Sequence, residues 1–463
     1  MHKQEYAKPG DELRFKHPCI YEIETGRAII PETSLFANQY DLTWLRWNTD
    51  SKGLTFEYNE RGHKVYRVLE LSAETGKVRT LVEEKHDRYV NYPRIYRHYM
   101  ADGKSLVWSS ERDNWNHLYL IDRKDGSVKR QLTKGEWYVR EIQRIDENKG
   151  VIYFSANGMN ADEAEDPYWI RYYSIGMDGK GLTCITPDEG THKAVYSSDM
   201  KYVVDVSSTA SMPPVASLRN VSDGSERMII ERADISALLA KGWHAPEVFA
   251  APGRDGKTLM WGQIHRPSNF DPSRKYPVIE YIYAGPGDQY VPKNFVTYNW
   301  TATSLAELGF IVVQLDAMGT SYRSRTFENI CYKNLHDAGF PDRKEWIKAA
   351  ARRYPEMDST RVGIYGMSAG GQEAMAAVLH HPEFYKAAYS SCGCHDNRMD
   401  KIWWNELWMG YPVDSSYIAA SNMENAHLLT RPLMLVVGEN GRQCGSCLHR
   451  AGSKCAHTGR EGL

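Results

Sequence analysis

Residues 361–374 read RVGIYGMSAGGQEA. A short apolar run at 362–365 leads into Gly366, Ser368 stands at the apex, and Gly370 and Gly371 open an alanine-rich stretch. The order predicts a buried strand, a sharp turn and a helix. Residues 366–370 fit G-x-S-x-G, in which small residues at both ends let the chain reverse without striking the neighbouring strand and helix. A serine held there is raised above the sheet at a helix N-terminus, where the dipole favours a developing anion. The pentapeptide alone recurs by chance in many proteins. The strand before it and the helix after it are what mark Ser368 as a nucleophile.

The surrounding sequence supports that setting. YPVIEYIYAGP (276–286), LGFIVVQLDAMG (308–319) and RPLMLVVGE (431–439) are further short apolar runs ending in glycine-rich turns. Runs without alternation suit strands buried on both faces of a parallel sheet. Between them, DRKEWIKAAARRYPEM (342–357) puts Trp346, Ala349 and Ala350 on one helical face with charges opposite. EVFAAPGRDGKTLMWGQIHRP (247–267) reads as a hairpin. Strand alternating with helix predicts a doubly wound α/β domain over residues 233–439.

The first half repeats itself. Charged tips recur at Gly26, Gly76, Gly126, Gly179 and Gly224, at spacings of 50, 50, 53 and 45 residues. Asp-Gly and Thr-Gly supply the positive φ that two-residue hairpin turns need. Period-two alternation before each tip gives about four short strands per repeat, the pattern of a propeller blade. Residues 1–232 therefore read as a partial β-propeller of four blades and a fraction, with an incomplete first unit and further blades expected upstream.

Bulk composition narrows the function. The chain has 463 residues, 42% hydrophobic and 25% charged, enough for two or three domains. A net charge of −2 gives no electrostatic case for nucleic acid or an anionic membrane surface. No apolar run reaches the length of a membrane-spanning helix, and the start, MHKQEYAKPGDELRF, lacks the apolar core of a signal peptide. Cys19, Cys184, Cys331, Cys392 and Cys394 are scattered through expected domain interiors and read as free thiols.

Three pieces together carry a resemblance. YAGP at Tyr283 to Pro286, GMSAGG at 366–371 and WWNELWMGYP at Trp403 to Pro412, all behind a propeller, resemble the prolyl oligopeptidase (S9) serine peptidases. Within them the dipeptidyl peptidase IV branch is the most similar. The resemblance covers residues 1 to 439. It implies a peptidase without a cofactor, acting on peptide substrates, in a secreted or periplasmic parent that can form a homodimer. It also implies an oxyanion hole built from the Tyr283 hydroxyl and the Ala369 N–H. Two departures stand out. The residue after the serine is usually aromatic in that branch, and here it is Ala369. Alignment on M-G-Y-P sets Asp400 and Trp404 where the family has tyrosines lining the S1 pocket, so a proline-shaped pocket is not implied.

Other clusters read as structural. His380 and His381 look like a surface pair. CGCHDNRMD, with Cys392, Cys394, His395, Asp396 and Asp400, reads as a loop after a strand and not as a metal centre. His427 precedes the last strand and is out of order for a hydrolase triad. In that order the acid follows the strand at 432–439 and the histidine comes later. The family has a stretch like M-D-D-N-V there, whereas this chain continues NGRQCGSCLHRAGSKCAHTGREGL. Cys444, Cys447, His449, Cys455 and His457 have the ligand types of a zinc knot. The stronger reading is a shifted frame. Glu439 onward, written GAA AAT GGA CGA CAA TGT GGA TCC, becomes E-M-D-D-N-V-D-P when one A is removed. Residues 440–463 are therefore expected to be a frame-shifted tail, with triad Asp and His absent from this chain. Two rival readings are a non-catalytic propeller that binds partners and a zinc-binding protein.

Overall fold

The computed structural model describes residues 6–160 and 165–438. The frame-shifted tail and the five zinc-knot residues of the sequence reading lie outside them. The described residues fall into two compact units, one within 1–154, 174–182 and 401–414, the other within 155–173, 183–400 and 415–463.

In the first unit, Ile20–Glu22 and Arg27–Ile29 pair as a two-stranded ribbon. Four-stranded sheets follow at 39–85 and 97–131, each with its strands paired in chain order. A third such sheet runs over 138–184, and a fourth, over 191–232, belongs to the second unit. All five tip glycines have positive φ, between 69° and 78°. Each joins the third strand of its sheet to the fourth, and Gly26 joins the two strands of the ribbon in the same way. The turns are longer than the two-residue type. At the second tip, Ser72 N–H donates to the Lys77 carbonyl and Gly76 N–H donates back to the Ser72 carbonyl, both at 3.0 Å, which encloses four residues and leaves glycine in the left-handed position. Phe56, Leu69 and Leu71 anchor one apolar cluster and Val68, Leu106 and Trp108 another. The unit also holds helix Ile402–Met409, whose fully buried Glu406 pairs with Arg61 at 2.8 Å.

The second unit contains a seven-stranded sheet. Its strands are β1 (Glu247–Pro252), β2 (Leu259–His265), β3 (Tyr276–Ile282), β4 (Ile311–Asp316), β5 (Met357–Met367), β6 (Tyr385–Ser391) and β7 (Leu433–Val436). The order is β1-β2-β4-β3-β5-β6-β7. The β1–β2 hairpin joins antiparallel to β4, and from β4 onward every pair is parallel. Helices α1 (Trp300–Glu307), α2 (Phe340–Arg353) and α3 (Ala369–His380) connect them. The core beneath is aliphatic and aromatic, with Val313, Trp346, Ile347, Ile364, Met375 and Val378 sealed from solvent.

Three expectations are corrected by the side chains. Only β4 is buried along its whole length; β3 alternates, and β7 is half covered, with Met434 exposed. On α2, Asp342 and Arg343 are as buried as Trp346, so charge is not confined to the outer face. None of the five cysteines forms a disulfide among the described residues, but Cys19 is exposed and only Cys331 of the five is fully interior.

Candidate active site

β5 ends at Met367 and α3 begins at Ala369, so Ser368 alone makes the turn. Its φ of 59° and ψ of −120° lie where residues with a side chain rarely sit. Three backbone hydrogen bonds hold it there. Ser368 N–H donates to the Ser391 carbonyl at 2.9 Å, and the N–H groups of Gly371 and Gln372 donate to the Ser368 carbonyl at 3.0 and 3.1 Å. The glycines around it are steric necessities. A Cβ on Gly366 would lie 2.1 Å from the Gly370 oxygen, one on Gly370 2.2 Å from the Ile282 oxygen, and one on Gly371 2.4 Å from the Ser391 oxygen. The glycine that permits the turn thus also lets α3 press onto the end of β3.

Tyr283 follows that strand end. Ile282 pairs with Gly366 across the parallel β3–β5 ladder, so Tyr283 and Ser368 leave adjacent strands at the same, C-terminal edge. This edge is where open α/β sheets bind ligands. Tyr283 is half-buried, its ring 4.7 Å from that of Tyr290. The Tyr290 hydroxyl donates to the Pro286 carbonyl, and burial, with Glu373 nearby, drives its pKa well above the usual phenol value. Ala369 N–H, the first of α3, has no acceptor among the described residues. The segment after Tyr283 is tied down: Gly287 N–H donates to Ser321 Oγ at 3.0 Å, and Tyr290 and Val291 N–H donate to the buried Asp316 carboxylate.

Ser368, Ala369 and Tyr283 therefore share one edge of the sheet. Asp400, half-buried just after the short turn Asn397–Met399, belongs to the second unit, and half-buried Trp404 to the first. The Ser368 hydroxyl has no hydrogen-bond partner among the described residues. The histidines singled out from sequence are engaged elsewhere. His395 is fully buried against Asn422, and His427 is exposed with Nδ1 3.1 Å from the Glu424 carbonyl. His380 and His381 are half-buried, not a surface pair: they pack against the His336 and Phe340 rings respectively. The 392–400 loop is knitted by Arg398, which bridges Asp396 at 2.5 Å and Glu424 at 2.6 Å. Among the described residues no three His, Cys, Asp or Glu side chains gather as metal ligands.

Sequence reasoning missed the buried acids behind this edge. Glu280 on β3 pairs with Arg343 at 2.7 Å and accepts from the Tyr385 hydroxyl at 2.7 Å. Glu373 on α3 is 6% exposed and accepts the Ala284 N–H at 2.9 Å. A lone acid inside the small apolar run GGQEAMAAVL was the available signal for the second.

The comparisons agree with this architecture. Residues 1–214 match the model of the dipeptidyl peptidase IV N-terminal region, and residues 296–445 match that of the prolyl oligopeptidase family. Human dipeptidyl peptidase 8 is 24% identical over 399 residues, covering 77% of this chain and 43% of that protein. The chain thus spans less than half the length of that relative. A crystal structure of a Bacteroides ovatus protein superposes with a TM-score of 0.83 at 25% identity, over 99% of this chain and 66% of that one. Porphyromonas gingivalis dipeptidyl peptidase 4 gives the same TM-score, 0.83, at 22% identity, over 98% and 63% of the two chains. With propeller-like sheets, a mixed hydrolase sheet and a serine elbow in this order, the chain belongs to the prolyl oligopeptidase (S9) family, in its dipeptidyl peptidase IV-like branch.

Proposed function

We propose that Ser368 is the nucleophile of a serine peptidase of dipeptidyl aminopeptidase type, with the Tyr283 hydroxyl and the Ala369 N–H as oxyanion donors. The observation that carries the reading is the strained Ser368 backbone, held at a strand end beside the strand that delivers Tyr283. In this reading Ser368 Oγ attacks the scissile carbonyl carbon, and the carbonyl oxygen gains the charge that the two donors receive. Each donor contributes about 3 kcal/mol to lowering the barrier. Asp400 and Trp404 take no part in these steps.

The attack also needs a base to take the Oγ proton, because a neutral serine is a weak nucleophile. No histidine bonds to Ser368 among the described residues. The finer proposal is that the acid and base belong to the other reading frame after Glu439 and that residues 1–463 lack them. Triad members act as a unit, so turnover of dipeptide chromogenic substrates is expected at about 10⁻⁶ of a complete enzyme. The test supplies a base from outside. A fluorophosphonate should modify Ser368 in an imidazole-dependent way, with fluoride leaving the phosphorus and imidazole taking the proton. Mass spectrometry should place the adduct on Ser368, and Ser368→Ala should carry none. Equal modification of Ser368→Ala sinks the nucleophile, and enzyme-like peptide turnover without imidazole sinks the missing base.

A further inference from the structure

Glu373 lies five residues beyond Ser368, on the same helix, inside an otherwise small and apolar stretch. Its carboxyl is buried, and among the described residues no cation lies within hydrogen-bonding distance of it. Oε2 accepts the Ala284 N–H at 2.9 Å, 89 residues back in sequence, and Oε1 lies 3.6 Å from where a Cβ on Gly285 would be. Ala284 is the residue directly after Tyr283 and is buried. Farther along, the loop is anchored at Gly287, Tyr290 and Val291 by Ser321 and Asp316, and at the Asp288 and Tyr290 carbonyls by Ser321 N–H and Gln314 Nε2. Among these side-chain anchors, Glu373 alone ties the loop to the helix that starts at Ser368.

We propose that Glu373 is a positioning residue that locks the Tyr283 loop to the nucleophile's helix, so that the two oxyanion donors move as one body. The proposal rests on the reading of Ser368 and Tyr283 given above. Such a lock has a plain physical use. Donors help only when aimed at the position the oxyanion will occupy, and misplacement by about 1 Å can cost a hundredfold. A buried peptide N–H also needs an acceptor, and a side chain from α3 supplies it where strand pairing has ended. Burial pushes the Glu373 carboxyl up to about 8, with Arg343 and the Ala284 N–H pulling the other way. Near neutral pH the group is thus largely uncharged, and a glutamine, which keeps an acceptor oxygen of the same reach, is a close replica.

The experiment compares Glu373→Gln, Glu373→Ala and Glu373→Met, the last keeping volume without an acceptor. Hydrogen exchange of a peptide spanning Ala284 reads the lock directly. Imidazole-dependent fluorophosphonate modification of Ser368 reads its consequence. Glu373→Ala and Glu373→Met should speed Ala284 exchange and slow Ser368 modification about ten- to a hundredfold, while Glu373→Gln should restore both. Wild-type exchange and modification in Glu373→Met overturn the proposal, as does a glutamine variant no better than methionine. If the wild-type chain is not modified at Ser368, the active-site reading falls and the catalytic meaning of the lock falls with it. Ala284 exchange then still decides whether the lock exists.

Discussion

Ser368 spends conformational energy to be where it is, and the cost is borne by three glycines. The Ile282 carbonyl stands where a Cβ of Gly370 would go, at 2.2 Å, and neither β3 nor α3 can yield without moving the other. Gly370→Ala is therefore expected to destabilise the second unit by about 1–3 kcal/mol, the usual toll of overpacking. It should also abolish imidazole-dependent modification of Ser368. A denaturant midpoint within error of the wild type would mean that the close approach of helix and strand is absent. Gly242, whose added Cβ would meet nothing within 4 Å, serves as the control, since Gly242→Ala pays only for its φ of 81°. Gly366 and Gly370 were legible in sequence because G-x-S-x-G fixes their spacing around the serine, although the strand carbonyl that Gly370 must clear is far away in the chain. Glu373 was not legible in the same way. Its partner is a backbone N–H 89 residues distant, and no side-chain pattern announces a main-chain donor.

At the scale of elements, the period of α2 was readable and its charge pattern misleading. Trp346 and Ala350 face the core as their spacing requires, yet Arg343 is fully buried beside them. The reason is a partner on another element: Glu280 on β3, at 2.7 Å, with the Tyr385 hydroxyl on its second oxygen and the Ala338 carbonyl accepting from Arg343 Nε. Asp342 is similarly committed, to Arg254 at 3.0 Å. Such pairs join residues far apart in sequence, so a charged position on a helix looks solvated until the fold is known. A buried pair contributes little net stability when intact, and much is lost when it is broken, because the surviving charge has no water. Arg343→Met should cost the second unit about 3–5 kcal/mol. Adding Glu280→Gln should recover much of that loss, and denaturant midpoints of the two variants measure the difference. If the double variant is no more stable than Arg343→Met, the pair is not what binds α2 to β3.

For the molecule as a whole, the repeat at the five tip glycines was readable because the same turn chemistry recurs, and all five carry the left-handed φ that it requires. Response to acid was not readable, since it depends on which histidines are buried. Both units hold histidines that burial pulls down: His63 and His117 in the first, and His265, His336, His380 and His381 in the second. In the first, His63 is 1% exposed, its Nδ1 3.0 Å from Asn59 Oδ1 and its ring stacked on Tyr92, and burial, aided by Arg61, pulls its pKa down to about 3. In the second, His265 on β2 is 8% exposed, its Nε2 has no hydrogen-bond partner among the described residues, and it is pulled down to about 4 by burial and by His244. A histidine depressed in the folded state takes up its proton in the unfolded chain first. Stability from this source is therefore complete above the unfolded value near 6.5, and it falls as pH drops toward the folded value. Between about pH 7.5 and pH 5 His63 and His265 each remove about 2 kcal/mol from their units. Buried acids act with the opposite sign: Glu373, raised to about 8, and Glu57 and Asp316, also raised by burial, destabilise as pH rises through their unfolded range. The wild-type profile is a sum of opposing slopes, so the variants isolate the histidines. His63→Asn, chosen because asparagine tolerates the φ of 57°, should lower absolute stability by losing the ring contact and yet flatten the acid loss in the first unit by about 2 kcal/mol. His265→Phe should do so in the second. Hydrogen exchange of strands Gly53–Glu60 and Leu259–His265 at the two pH values reads each unit separately. Acid slopes unchanged from wild type would show that neither imidazole is held neutral by its surroundings.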